Sequence, residues 1–596
     1  MNEKVVLTGN QAIARGFYEA GGLVASSYPG SPTVGIIENI KNYKEVYSEF
    51  STNEKVALEV AMGASFGGVR SLCSMKHVGV NIAADPLMTF TQTTINGGFI
   101  LITGDDPGMH SSQNEQDNRV FGKFANMAIL DPSDSQEAKD FTKIGLELSE
   151  NYNIPFMLRI TSRLCHNRSI VNLGEREEID NKSFEKDAYK YCMLPPYTDK
   201  AQYFMKERLQ KLEDLAYNTD LNKLEEKEGT DTIIITSGLV YQHLKEIDLN
   251  ASIYKLGMVY PISIKKIKEL SQKYKNIIIL EEMMPFIENE LKINGIDCKG
   301  KQYFSFTGEI QIEDVEKGLA KAGLIEKRKF NEQQRLEVPS RSPQFCSGCP
   351  HRPIYDILKK AKVNVIGDIG CYSMGVLYPF EVHDINISMG SGVSILKGMR
   401  KAWDLSGNKK PLVAMIGDGT FFHSGVNGFI NLMHKLDENA NMTIIVLDNK
   451  TTAMTGGQPN ASSDNEMDIS IEELLKTIGF ERIKVLNQYN YKKAKDVIDE
   501  EIKHEGLSII VATGPCALQY RMRHPHFYVD PDICISCRNC IKTNCPPLLM
   551  KKYEGHEKLK SSIDPDMCVG CSICAQVCPV NAIKSSRTDN DLKNKE

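Results

Sequence analysis

Eight of the sixteen cysteines in this chain fall between Cys534 and Cys578, and no other feature restricts the fold so tightly. The second half of that stretch reads Cys568-x2-Cys571-x2-Cys574-x3-Cys578-Pro579. The first half reads Cys534-x2-Cys537-x2-Cys540-x4-Cys545-Pro546, one residue longer in its last gap. Two-residue gaps let three thiolates converge on one iron–sulfur cubane, while the longer gap and the proline carry the fourth thiolate to a neighbouring cubane. That rule pairs Cys534, Cys537, Cys540 and Cys578 on one 4Fe-4S cluster, and Cys568, Cys571, Cys574 and Cys545 on another. Zinc also accepts Cys-x2-Cys, but two runs of four thiols, each closed by Cys-Pro, favour clusters. Residues 526–584 hold too few large apolar side chains to fold on a core alone, so metal must supply folding energy there.

At 596 residues the chain is too long for one domain, and three or four folded units are expected. A hydrophobic fraction of 41% with 25% charged residues excludes a disordered or fibrous chain. With 71 basic and 77 acidic residues and a net charge of -6, there is no electrostatic case for nucleic acid or a membrane surface as partner. No apolar run approaches the roughly 18 residues of a membrane span, and Met1-Asn2-Glu3-Lys4 lacks a secretory pattern. A cytoplasmic protein is expected, whose reducing surroundings keep thiols available for metal. Cys73, Cys165, Cys192 and Cys298 stand without ligand spacing and read as small buried hydrophobes.

Residues 1–175 alternate short apolar runs, such as Val5-Val6-Leu7 and Phe99-Ile100-Leu101-Ile102, with glycine-marked turns, which reads as α/β with a mainly parallel sheet. Residues 176–230 turn to charged composition and read as a helical linker. A second α/β domain is expected over 231–330 and a third over 340–525, with strands near Val363, Leu412 and Thr443. The cysteine-rich unit follows over 526–584, then a disordered polar tail, 585–596.

Residues 412–449 run from an apolar strand through Gly417-Asp418-Gly419 and about one helix to a second apolar strand ending in Asp448-Asn449. This resembles the thiamine diphosphate motif, in which Gly-Asp-Gly precedes a pair of asparagines. Glycine lets backbone approach a diphosphate, and a helix opening near Phe421 points N–H groups at it. Mg2+ takes oxygen ligands from diphosphate, water and one or two side chains. The resemblance implies that Gly417 and Gly419 flank the cofactor and that Asp418, the Asn449 side chain and the Thr451 carbonyl hold Mg2+. Asp448 stands in place of the first asparagine. Such enzymes also set a carboxylate against the cofactor's pyrimidine ring. Asn53-Glu54-Lys55-Val56 reads as a helix start followed by small residues, which makes Glu54 the catalytic candidate and Glu59 the second choice.

Thiamine diphosphate joined to ferredoxin-like clusters resembles the 2-oxoacid:ferredoxin oxidoreductases. Tyr28-Pro29-Gly30-Ser31-Pro32, Lys76-His77-Val78-Gly79, the stretch from Asp105 to Glu115, and Cys346-Ser347-Gly348-Cys349-Pro350-His351-Arg352 are similar, more narrowly, to the large (alpha) subunits of the indolepyruvate branch. The resemblance covers essentially the whole chain. It implies doubly wound parallel-sheet domains that bind thiamine diphosphate, a transketolase C-terminal-like domain over 231–330, and a C-terminal α+β ferredoxin domain of the bacterial two-cluster type. It implies oxidative decarboxylation of an aryl pyruvate with coenzyme A to arylacetyl-coenzyme A and CO2, with electrons passing through 4Fe-4S clusters to ferredoxin. A small beta subunit is the implied partner. A pyruvate or branched-chain 2-oxoacid enzyme is one alternative; a non-catalytic iron–sulfur electron-transfer subunit is another. Cys346, Cys349, Cys371 and Cys516 match in type a third cluster that related enzymes hold beside the cofactor. The short gap between Cys349 and Cys371 leaves pocket-lining thiols as an equal reading. Tyr28, Ser31, His77, His110, His423 and Arg352 occupy glycine-rich or strand-ending contexts suited to substrate, although a single histidine is more often structural.

Overall fold

The computed structural model describes residues 3–195, 197–326, 342–433, 441–463 and 468–587. The chain divides into two compact units, Met1–Arg335 and Leu336–Glu596. The expected boundary near 330–340 and most of the expected tail lie outside the described residues.

The Ile-, Val- and Leu-rich runs of the first unit are buried on both faces, as strands covered by helices on both sides require. Seven strands form one sheet in the order Met258–Tyr260, Ala128–Leu130, Phe156–Thr161, Phe99–Asp105, Ser71–Lys76, Val24–Ser27, Tyr47–Phe50. All neighbours are parallel except Met258–Tyr260 at the edge. A four-stranded sheet runs Asn276–Leu280, Thr232–Ser237, Ser252–Leu256, Lys223–Glu225, antiparallel only at its last member.

These pairings cross the boundary expected at residue 230 in both directions. Lys223–Glu225 joins the later sheet, and Met258–Tyr260 returns to close the edge of the earlier one. The segment read as a linker is also part of the core. Its helix Tyr197–Asn218 buries Ala201, Met205, Arg208, Leu212 and Ala216, a stripe at helical spacing. Arg208 donates to the carbonyls of Thr93 at 2.8 Å and Asn153 at 2.6 Å. Residues 173–187 form neither helix nor strand.

In the second unit five parallel strands are ordered Asn364–Ile366, Leu412–Gly417, Met442–Asp448, Leu507–Thr513, Ile483–Asn487. The cysteine-rich part adds two antiparallel ribbons, Phe527–Val529 with Ile583–Ser585 and Leu548–Lys551 with Lys560–Ile563. Its small core counts Cys534 and Cys540 among its buried members. No helix among the described residues is long and apolar enough to cross a membrane.

Candidate functional site

Loops leaving the C-terminal ends of parallel strands share one sheet edge, where ligands of such folds bind. Tyr28 and Ser31 follow Val24–Ser27, Glu54 follows Tyr47–Phe50, His77 follows Ser71–Lys76 and His110 follows Phe99–Asp105, so the first sheet gathers all five. Glu54 opens the helix Glu54–Phe66, whose N-cap Asn53 accepts from Val56 N at 2.9 Å. It is only 5% exposed. A Cβ on Gly79 would stand 2.8 Å from Glu54 Oε1, so the carboxylate lies against that glycine. Glu59, by contrast, pairs with Lys55 on an exposed face. His77 is buried between the carbonyl oxygens of Gly104 and Asn114, at 3.3 and 3.2 Å, and burial lowers its pKa. It bridges the end of the strand Phe99–Asp105 and the loop that follows it. His110 is exposed, 3.8 Å from Glu309.

In the second unit Leu412–Gly417 and Met442–Asp448 are adjacent and parallel, with Gly417 beside Leu447, which brings both halves of the motif to one edge. Asp418 is buried; its Oδ1 accepts from Gly419 N at 2.8 Å and its Oδ2 from Thr451 N at 3.1 Å. One terminal atom of the Asn449 amide lies 2.9 Å from Asp418 Oδ1 and 3.1 Å from the Thr451 carbonyl oxygen. With nitrogen inward the amide donates to both. With oxygen inward it completes a set of three oxygens, spaced as neighbouring ligands about 3 Å apart around a cation with Mg–O bonds of about 2.1 Å. The donor set therefore fits Mg2+. Burial, and then Asp448, push the Asp418 carboxyl up to about 7, a cost that a bound cation relieves.

Gly417 is required by packing, since a Cβ there would meet the Tyr372 ring at 2.5 Å. The helix after Asp418 widens into a π turn at Phe421–Gly425, which carries the buried His423 with its Nδ1 3.0 Å from Ser424 Oγ. Asp368 escaped sequence reasoning. It accepts from Ile369 N at 2.7 Å and from Gly390 and Gly392 N at 2.9 Å, fixing the turn that opens the helix Ser391–Leu405. The only sequence signal was the Gly390-x-Gly392 spacing it grips.

Cys534, Cys537, Cys540 and Cys578 line one small cavity, and Cys545, Cys568, Cys571 and Cys574 line another. The structure thus brings together the same two sets of four that the spacing pairs. The two loops share a backbone device: Ser536 and Arg538 flank Cys537, and Gly570 and Ser572 flank Cys571, all in the left-handed region. Successive N–H groups in such turns make anion-binding concavities. Among the described residues no three His, Cys, Asp or Glu side chains form a single-ion site; thiols ringing a cavity suit a multi-atom cluster better than zinc. The extra residue before Cys545 is absorbed by a turn with Asn544 in the left-handed region, and the Thr543 carbonyl accepts from Arg352 at 2.9 Å.

Cys346, Cys349, Cys371 and Cys516 act on one another electrostatically, and the Tyr489 hydroxyl ties the Cys349 loop to the Cys516 loop, 3.0 Å from Gly348 O and 2.9 Å from Pro515 O. Burial, followed by Cys516, Cys346 and Asp418, pushes the Cys371 thiol up to about 12, and burial raises Cys349 beside Arg352, Cys371 and Cys346. Cys516 N donates to the Asn449 carbonyl at 3.0 Å. Arg352, a substrate candidate on sequence, is placed among these thiols and the Cys545 cavity instead. Its place at the start of the helix His351–Ala361, just after the Cys346-x2-Cys349 spacing, gave no hint of that role.

Residues 15–228 match the pyruvate flavodoxin/ferredoxin oxidoreductase thiamine diphosphate-binding domain. Residues 368–512 match the C-terminal TPP-binding domain of thiamine pyrophosphate enzymes, and residues 562–584 match a 4Fe-4S binding domain. The indolepyruvate oxidoreductase subunit IorA of Archaeoglobus fulgidus is 37% identical over 98% of this chain and 98% of its own length. This chain belongs to the indolepyruvate oxidoreductase subunit IorA family. The IorA of Methanothermobacter thermautotrophicus is 34% identical over 98% of this chain and 97% of its own. The 2-oxoglutarate synthase subunit KorA of that organism is 25% identical over only 30% of this chain and 50% of its own. Family and domain matches make the chain a thiamine diphosphate-dependent, iron–sulfur 2-oxoacid oxidoreductase.

Proposed function

We propose that this chain is the large subunit of an enzyme that decarboxylates aryl pyruvates, indolepyruvate among them, with coenzyme A and delivers the electrons to ferredoxin. The names of its relatives motivate the substrate. The observation that supports the reading most is adjacency within one compact unit. The Asn449 carbonyl accepts from Cys516 N, the Tyr489 hydroxyl ties the Cys516 loop to the Cys349 loop, and Arg352 runs from the Cys346 carbonyl to the Cys545 cavity.

Thiamine diphosphate, when bound, supplies the nucleophilic carbon and the electron sink. Asp418, the Asn449 oxygen and the Thr451 carbonyl hold its Mg2+, with Gly417 and Gly419 beside them. Asp368 keeps the neighbouring Gly390–Gly392 turn in place. Glu54, seated on Gly79, is the carboxylate offered to the pyrimidine ring. The two terminal sets of cysteines hold 4Fe-4S clusters, and Cys346, Cys349, Cys371 and Cys516 hold a third beside the pocket. Cys537 is exposed, which suits the outermost cluster to meet ferredoxin. A small beta subunit completes the assembly.

The test is anaerobic reduction of ferredoxin by the complete assembly given coenzyme A and indolepyruvate, phenylpyruvate or pyruvate. Aryl pyruvates should be much the better substrates. A marked preference for pyruvate reassigns the substrate. Clusters that stay oxidised with every 2-oxoacid refute the enzymatic reading and leave an electron-transfer subunit.

A further inference from the structure

Arg352 is among the most deeply buried side chains of the second unit, at 1% exposure. Main-chain oxygens enclose its guanidinium. Nε and Nη2 donate to Cys346 O at 3.1 and 3.0 Å and Nη1 to Thr543 O at 2.9 Å, with further bonds to the carbonyls of Phe345 and Asn544. Among the described residues no carboxylate pairs with it. The ionisable groups that act on it most are thiols: Cys545, Cys349, Cys346 and Cys571. It lines the cavity ringed by Cys545, Cys568, Cys571 and Cys574. The cavity of Cys534, Cys537, Cys540 and Cys578 has no basic side chain in its lining; Lys560 donates to the Cys534 carbonyl at 2.5 Å without lining it.

An arginine cannot shed its proton in a protein, and a buried charge without a counter-ion is costly. Carbonyl dipoles offset part of that cost. A cluster carried on four thiolates is an anion, and it gains a further negative charge when it accepts an electron. A fixed cation in a low-dielectric surrounding favours that reduced form, and net charge is one of the quantities that set cluster potentials.

We propose that Arg352 is a built-in positive charge that raises the reduction potential of the cluster held by Cys545, Cys568, Cys571 and Cys574, and not that of the cluster held by Cys534, Cys537, Cys540 and Cys578. This rests on the ligand sets of the proposed function. The same fork accounts for the longer gap between Cys540 and Cys545. The left-handed turn at Asn544 presents two consecutive carbonyls to the guanidinium, so the loop that delivers Cys545 also anchors the charge. Arg352 is thus a tuning residue acting through the cluster, not a substrate contact.

The test is an EPR-monitored redox titration of the full anaerobic complex carrying Arg352→Gln or Arg352→Lys, with the two terminal signals assigned by a Cys571→Ala variant that deletes one of them. Arg352→Gln should disfavour reduction of the Cys545-bearing cluster about tenfold, which is about 59 mV for one electron, and leave the other cluster where it was. Arg352→Lys keeps the charge without the fork and should stay near the unaltered potential. Loss of that cluster from the glutamine variant alone also supports the charge as the determinant. An unchanged potential with glutamine, equal shifts in both clusters, equal shifts with lysine and glutamine, or loss from both variants overturns the proposal. If the unaltered complex shows no 4Fe-4S signals, the ligand sets themselves fail, which is a separate result.

Discussion

Gly79 lies in the helix His77–Ile82 with the Glu54 side chain packed on it. An alanine there would put its Cβ 2.6 Å from Glu54 Cγ, 2.9 Å from Cδ and 2.8 Å from Oε1. Non-bonded carbons settle about 3.5–4.0 Å apart, so the glutamate must retreat by about 1 Å. Misplacing a group at the reacting centre by about 1 Å can cost about 100-fold in rate, or about 2.7 kcal/mol at about 1.36 kcal/mol per decade. Gly79→Ala should therefore lower kcat for 2-oxoacid-dependent ferredoxin reduction about 100-fold while KM for the 2-oxoacid changes little. Thermal unfolding, followed by circular dichroism, should move by only a few degrees, because the clash is with one side chain. Gly63→Ala is the control. It lies on the helix that Glu54 opens, where a Cβ meets nothing within 4 Å, and it should keep its activity. A folded Gly79→Ala enzyme at full rate, or an equal loss in the control, would refute the idea that Glu54 works from this seat.

Asp418→Ala should abolish binding of Mg2+ and thiamine diphosphate in anaerobic calorimetry while the visible absorbance of the terminal clusters survives; loss of both would show that the two sites do not form separately. Cys571→Ala should remove about four irons per chain and leave the EPR signal of the Cys534-bearing cluster, whereas loss of both signals would contradict two distinct ligand sets. His351 and His383 are buried, and burial lowers both to about 4 from an ordinary 6.5. The unfolded chain therefore takes up their protons first. Stability of the second unit, complete above pH 6.5, should fall as pH drops toward 4, by roughly 3 kcal/mol per histidine at about 1.36 kcal/mol per pKa unit. Urea titrations across that range should show the slope, and His351→Gln should flatten it; an unchanged slope would rule His351 out as its source.

Short-range geometry was legible in the sequence. Which thiols line one cavity was readable from the gaps of two to four residues, because loops that short limit which side chains reach one point, and the two cavities gather the sets that the spacing pairs. The strand, Gly417-Asp418-Gly419 and the later Asn449 were likewise readable, since two parallel neighbouring strands must end at the same edge. Asn53 announced the helix that buries Glu54.

Tertiary structure alone decided what depended on residues far apart in the chain. The charged stretch 176–230 hid a narrow buried stripe that includes Arg208, and composition averages such a stripe away. The strand Met258–Tyr260 joins the earlier sheet because its partner, Ala128–Leu130, supplies an open edge that no local pattern reveals. Arg352 looked like a substrate contact, yet the carbonyls that surround it come partly from Thr543 and Asn544. Gly417 looked like a cofactor glycine, and its packing partner is Tyr372. Spacing along a chain limits which atoms can meet within one loop; which distant side chain fills the space beside them is settled only when the core closes.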